Sequence, residues 1–243
     1  METVGYKQSG MKTVAIIQAR FNSVRLPGKV LKNIGSRAVL GWVIKKAEHS
    51  TLTDEVVVAT GTDLADNEIE RYCDWVGVAC FRGACTNVLD RYYKAATKFN
   101  ADVIVRLTGD NPFMDHRVID EVVEKLGDTQ SDFATNRLSS GYPAGQHVDV
   151  MTMDALQKAW ERASRPRDRE HVTSYIYTHD DEFKVCSVGY NPRLEGYRMT
   201  IDTHEDLAFA RAINGHIEGD TLIPWTDIIK YIDDNPTLWK IRE

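Results

Sequence analysis

Short β-branched runs alternate with amphipathic stripes of helical spacing through the first half of this chain, and that alternation confines it to few architectures. Val14–Ile17, Glu55–Thr60, Val78–Phe81 and Asp102–Leu107 read as strands, several of them apolar enough to face protein on both sides. The intervening stripes are Val39, Leu40, Val43, Ile44 and Ala47, then Ile69, Tyr72 and Trp75, which point inward, then Val88, Leu89, Tyr92, Ala96 and Phe99. A further stripe, Val118, Ile119, Val122, Val123 and Leu126, follows the last of these strands. Thr62 and Asp63 are placed to cap the second helix, which ends near Gly77. Right-handed crossovers join parallel strands, so the pattern predicts an α/β fold with a doubly wound, mostly parallel, Rossmann-like sheet and helices on both faces. The second half is less regular. Strands at 132–135, 147–152, 183–188 and 197–201, with helices at about 154–162 and 168–177, predict mixed pairing there. The Gly141-Tyr-Pro-Ala-Gly145 and Asn191-Pro192 turns mark loops over the active face or an arm toward a partner subunit.

At 243 residues, 42% apolar and 27% charged, the chain has enough material for one sizeable core. The expected organisation is a disordered N-terminal extension, 1–11, and a single domain over 12–243. A net charge of −6 argues against a nucleic-acid partner, which would need excess Lys and Arg. No stretch approaches the roughly 20 apolar residues of a membrane span, and the first ten residues are too polar for a signal peptide. A cytoplasmic protein with no membrane contact is expected. Cys73, Cys80, Cys85 and Cys186 form no Cys-x-x-Cys pair, which disfavours structural zinc and fits free thiols in a reducing compartment.

The first strand runs directly into Ala19-Arg20-Phe-Asn-Ser23-Val-Arg25-Leu-Pro-Gly-Lys29. Pro27 and Gly28 break the segment, so three cations sit in a loop at the carboxyl end of a strand, where open α/β sheets bind their ligands. Guanidinium groups grip phosphate oxygens in pairs and an ammonium acts as a compact charge, which suits a triphosphate. The same three cations also suit a solvated basic loop. The segment lacks the Walker spacing and carries no Gly-x-Gly-x-x-Gly fingerprint, which disfavours P-loop kinases and nicotinamide dehydrogenases.

Two aspartates stand at comparable positions. Asp110 follows the strand ending at Leu107, on the same edge as the cationic loop, and Asp202 follows Tyr197–Ile201, just before a helix opened by Thr203, Glu205 and Asp206. A magnesium ion takes one or two protein carboxylates and completes its octahedron with phosphate and water. Each aspartate also reads plainly as a turn former or helix cap.

Ile16-Ile-Gln-Ala-Arg20, Ser23, Arg25-Leu-Pro-Gly-Lys-Val-Leu31, Phe81-Arg-Gly83, Asn87-Val-Leu-Asp-Arg-Tyr-Tyr93, Arg106-Leu-Thr-Gly-Asp110, Arg169-Glu-His-Val-Thr173 and Met199-Thr-Ile-Asp-Thr203 occur in this order. Together they resemble the spore coat polysaccharide biosynthesis protein F family of cytidylyltransferase-like proteins. More distantly the chain is similar to the CMP-sialic acid and CMP-Kdo synthetases. The resemblance spans Lys12 to Ala212 and implies a nucleotide-diphospho-sugar transferase fold and a homodimer. It implies that Arg20 and Lys29 hold the triphosphate of CTP, or another NTP, with Ser23 and Arg25 among the nucleotide-binding residues. By the same resemblance Ala19, Arg82, Gly83 and Arg106 surround the nucleotide, and Asp110 and Asp202 carry Mg²⁺. Arg20, Lys29, Asp110 and Asp202 form the catalytic set. The chain departs from the family pattern at Phe21-Asn22, Asn111 and His204, none of which removes a charge.

The implied reaction is attack by an acceptor oxygen on the α-phosphorus of CTP, with pyrophosphate leaving in line. A small acidic acceptor, of the nonulosonic sugar-acid type, would lie across Asp110. Arg137, Tyr142, Gln146, Arg169 and His171 fall in segments expected to cover that side, although His171 also suits a structural role. Three alternatives stay open on the sequence: a phosphorylated small-molecule acceptor, glycosyl transfer, and a nucleotide-binding subunit without turnover.

Overall fold

The computed structural model describes residues 10–138, 141–194, 196–217 and 222–242. The chain opens with β1 (Thr13–Gln18) and the cationic loop, which holds a 3-10 turn at Lys29–Leu31. A two-stranded antiparallel ribbon, β2 (Asn33–Ile34) and β3 (Arg37–Ala38), then leads into α1 (Val39–Glu48). The regular half continues with β4 (Glu55–Gly61), α2 (Asn67–Val76), β5 (Ala79–Gly83), α3 (Val88–Lys98), β6 (Val103–Thr108) and α4 (His116–Thr129). The second half contains β7 (Phe133–Thr135), β8 (Asp149–Thr152), α5 (Met153–Arg162), α6 (Pro166–Glu170), α7 (Ser174–Tyr177), β9 (Val185–Ser187), α8 (His204–Ile217) and α9 (Trp225–Asp234).

Seven strands form one sheet in the order β5-β4-β1-β6-β8-β7-β9. β5, β4, β1 and β6 are parallel, β8 runs antiparallel to β6 and β7, and β9 pairs parallel with β7. The expected doubly wound, mostly parallel sheet with a mixed second half is therefore present. Alternation along β1 explains the two helical layers. Val14 and Ile16 pack with Leu89, Tyr92 and Ala96 of α3, while Ala15 and Ile17 pack with Leu40, Val43 and Ile44 of α1 and with Ile119 and Val122 of α4. Reversal of strand order beside β1 opens a crevice at the carboxyl ends of β1 and β6, where the ligand site of such a sheet belongs.

Several local expectations are corrected. Trp75 is 78% exposed rather than inward. α2 buries Ile69 and Cys73 at i and i+4, and Trp75, two positions beyond Cys73, falls on the far side of the helix. Neither Thr62 nor Asp63 caps α2, because a 3-10 turn at Leu64–Asp66 intervenes. Gly77 does end that helix, in the left-handed conformation at φ 76°. The helix expected over 168–177 is two short helices interrupted at His171–Thr173. Tyr197–Ile201 forms no strand; it makes a single bridge between Arg198 and Ala144, and its end is tied to Asp110 by Ile201 N–H donating to the Asp110 carbonyl at 2.9 Å. The expected N-terminal extension lies almost wholly outside the described residues. Among them, no helix is long and apolar enough to cross a membrane.

Candidate active site

A cleft of about 580 Å³ opens at the carboxyl edge of the sheet. Its floor is the end of β1, Gln18 and Ala19, and the end of β6, Thr108 to Asp110. These two termini meet closely. Gly109 N–H donates to the Gln18 carbonyl at 2.9 Å, and a side chain at Gly109 would stand 3.1 Å from that oxygen and 3.2 Å from Ala19 Cβ.

The cationic loop forms one wall and is braced rather than free. Phe21 N–H donates to the buried Asp66 carboxylate at 2.8 Å, and the Phe21 carbonyl accepts from Ser23 N–H at 2.9 Å and Gly28 N–H at 2.8 Å. Gly28 adopts φ 67° and lies against the Phe21 ring, where a Cβ would come within 3.1 Å. Fully buried Leu26 anchors the turn. This frame turns Arg20, Ser23, Arg25 and Lys29 toward the cleft.

Lys29 is 8% exposed and uses its ammonium fully. Nζ donates to Asp110 Oδ2 at 2.7 Å, to the Ile201 carbonyl at 2.8 Å and to Asp202 Oδ1 at 2.9 Å. Arg25 adds a second cation on Asp202 Oδ1 at 3.0 Å. Burial works to raise the Asp202 carboxyl, but the Lys29 hydrogen bond and charge, helped by Arg25 and Arg198, outweigh it and hold its pKa below the ordinary carboxylate range. The backbone at Asp202 is fixed by a reciprocal cap on α8. Asp206 Oδ2 accepts from the N–H groups of Asp202 and Thr203 at 2.9 and 3.0 Å, while Thr203 Oγ1 accepts from Asp206 N–H at 3.3 Å.

The rest of the lining comes from the segment before α3, the start of that helix, and α6. Cys85, Thr86, Asn87, Val88 and Arg91 contribute to the lining together with Pro166, Arg169, Glu170 and His171. Asn87 caps α3, accepting from Asp90 N–H at 3.0 Å. Arg91, one turn on, is 4% exposed, donates to the Ala84 carbonyl at 2.9 Å and keeps a buried Nε without a partner. Burial lowers the pKa of this guanidinium, and neighbouring Arg20 acts in the same direction. Among the described residues Arg20 has no ion-pair partner, so two guanidiniums converge on the cleft with anion-binding capacity to spare.

Of the residues expected from sequence, Ala19, Arg20, Ser23, Arg25, Lys29, Asp110, Arg169, His171 and Asp202 line this cleft. Five do not. Arg82 points into the β4–α2 connection, donating to the Gly61 carbonyl at 3.0 Å and pairing with Glu70 at 2.9 Å; Gly83 lies behind the wall against Arg91. Arg106 is inside the sheet, paired with Asp149 at 2.8 Å. Tyr142 is buried against Tyr190 and Trp225 with its hydroxyl on Glu121 at 2.6 Å, and Gln146 is fully buried, accepting from Asp115 N–H at 3.0 Å. Arg137 is exposed beside β7, also outside the cleft lining. Asn87 and Arg91 belong to a segment that carries the family resemblance, but sequence reasoning assigned neither a place in the site. Their signal was a capping Asn one turn ahead of an Arg on an otherwise apolar helix face.

Chemically the cleft offers cations to a polyanion and a pair of carboxylates to a hard divalent cation. The carboxylate pair fits such an ion by donor type: both are oxygen donors, each side chain is about a quarter exposed at 27% and 24%, and a single cationic atom already touches both.

A sequence model of a family described as cytidylyltransferase matches residues 14–219. The chain is 31% identical over 240 residues to the spore coat polysaccharide biosynthesis protein SpsF of Bacillus subtilis, covering 94% of this chain and 97% of that protein. A solved cytidylyltransferase from Leptospira borgpetersenii superposes with a TM-score of 0.88 at 31% identity, over 94% of this chain and 96% of the other. A CMP:2-keto-3-deoxy-manno-octonic acid synthetase solved with CTP shares the fold, with a TM-score of 0.64 at 19% identity over 84% and 99% of the two chains.

Proposed function

This chain belongs to the cytidylyltransferase family and is a nucleotidyltransferase, and from that premise we propose that it joins CMP from CTP to a small acidic sugar, releasing pyrophosphate, for surface polysaccharide synthesis. The observation that carries this reading is the placement of Arg20, Arg25 and Lys29 against Asp110 and Asp202 across one cleft. The relative named for spore coat polysaccharide synthesis and the fold neighbour solved with CTP support the acceptor class and the nucleotide.

In this reading the triphosphate lies along the cationic loop. Arg20, Arg25 and Lys29 bind oxygens whose charge grows as pyrophosphate departs, which stabilises the transition state more than the ground state. Asp110 and Asp202 would hold the magnesium ion, which supplies charge neutralisation across the phosphates when bound. Arg169 and His171 line the same cleft, where a guanidinium suits the carboxylate of a sugar acid. The acceptor hydroxyl attacks the α-phosphorus, a phosphorus–oxygen bond forms to the sugar as the hydroxyl proton is lost to solvent, and the bond to pyrophosphate breaks. The reading includes a homodimer working in the cytoplasm, where CTP is supplied.

Incubation with each NTP, Mg²⁺ and a panel of sugar acids and phosphorylated acceptors tests it, with pyrophosphate and nucleotide-linked product as the readouts. CTP with one sugar acid is expected to yield both. Transfer from a supplied nucleotide sugar without pyrophosphate would make the enzyme a glycosyltransferase and sink the proposal.

A further inference from the structure

Lys29 stands in an unusual relation to the two aspartates. Its single ammonium touches Asp110 at 2.7 Å, Asp202 at 2.9 Å and the Ile201 carbonyl at 2.8 Å, so all three of its donors are committed. Only 8% of the residue is exposed. Arg25 adds its charge at 3.0 Å from the Asp202 oxygen that Lys29 already holds. Two cations thus face two carboxylates, and the cluster is electrically balanced as it stands.

A divalent cation seeks these same carboxylate oxygens. Were it to enter while Lys29 and Arg25 stayed in place, a partly buried cluster would carry more positive than negative charge, at a cost that low dielectric surroundings enlarge. A triphosphate removes the conflict, because its oxygens are alternative acceptors for both side chains and bring the missing negative charge. We propose that Lys29 gates the metal site: its ammonium holds the Asp110–Asp202 pair against a divalent cation until a nucleotide triphosphate draws Lys29 and Arg25 onto its phosphates. The inference rests on the reading that these aspartates form the metal site. Metal and nucleotide then enter with positive coupling, each raising the affinity for the other by the same factor.

Metal binding without turnover tests the gate. Manganese(II) titrated into the protein without nucleotide, and followed by its electron paramagnetic resonance signal, is expected to bind Lys29→Met more tightly than the wild type, by roughly tenfold or more. The gain is expected to disappear in the double variant Lys29→Met, Asp110→Asn. Lys29→Gln removes the charge but keeps donors for the carboxylates, and it is expected to reproduce the gain if the methionine variant fails to fold by circular dichroism. Equal manganese affinity in wild type and a folded Lys29 variant, with binding still weakened by Asp110→Asn, would overturn the gate and leave the metal assignment standing. Absence of manganese binding in every arm, including one with CTP, would overturn the metal assignment and the gate together.

Discussion

Asp149 gathers Arg106, Thr135 and Tyr177 inside the sheet, at 2.8, 2.7 and 2.8 Å. The side chains of Arg106 and Asp149 are 13% and 1% exposed, so removing one partner strands the other charge. Asp149→Asn is expected to cost about 3–5 kcal/mol in chemical denaturation. Arg106 was expected from sequence to meet the nucleotide. The residue type was legible; its direction was not, because the partner is 43 positions away and is set by the pairing of β6 with β8. His147 makes a second residue-level test. Burial first, and the charge of Arg137 next, lower its imidazole pKa to about 4. In the unfolded chain it titrates near its ordinary value of about 6.5. Its contribution to stability is therefore complete above that value and is lost as pH falls toward 4. His147→Gln is expected to flatten the pH dependence of the melting temperature across this window, and an unchanged slope would show that another group dominates.

Elements of the first half are readable because β1, β4 and β6 are rich in β-branched residues and the helices between the strands carry apolar stripes. α2 shows where such reading stops. Its apolar face is legible from Ile69 and Tyr72, but a step of three residues drifts backward around the helix, so Trp75 falls away from the buried Ile69–Cys73 line, and the 3-10 turn ahead of the helix is invisible in the hydrophobic pattern. Trp75→Gln is expected to change stability by less than about 1 kcal/mol, because the side chain is exposed and its ring contact is the tilted Tyr72 ring at 5.7 Å. Asn87→Ala, by contrast, removes the cap of α3 and is expected to cost about 1 kcal/mol. Because α3 also carries Arg91 and the cleft wall, the same change is expected to raise KM for CTP in steady-state assays. The break between α6 and α7 was hidden by a sequence that reads helical throughout; Ser174 Oγ donating to the buried Asp168 carboxylate at 2.7 Å ties the two pieces across the interruption.

At the scale of the molecule, the site is assembled from opposite ends of the chain: Lys29 and Asp202 lie 173 positions apart. Local pattern placed each at the end of a strand or near a helix start, and the ordered family segments joined them. The contact between them comes from the crevice beside β1 and from the tie between Ile201 and Asp110. The acceptor side was less legible, since Tyr142 and Gln146 carry recognition chemistry in type yet serve the core in place. The central claim is that the carboxylate pair and its cations perform nucleotidyl transfer. Its most direct test is the rate of pyrophosphate release from CTP, with Mg²⁺ and the accepted sugar acid, in Asp110→Asn and Asp202→Asn beside the wild type. Each variant, folded as judged by circular dichroism, is expected to lose roughly a hundredfold or more in kcat. Wild-type turnover in either would contradict the account.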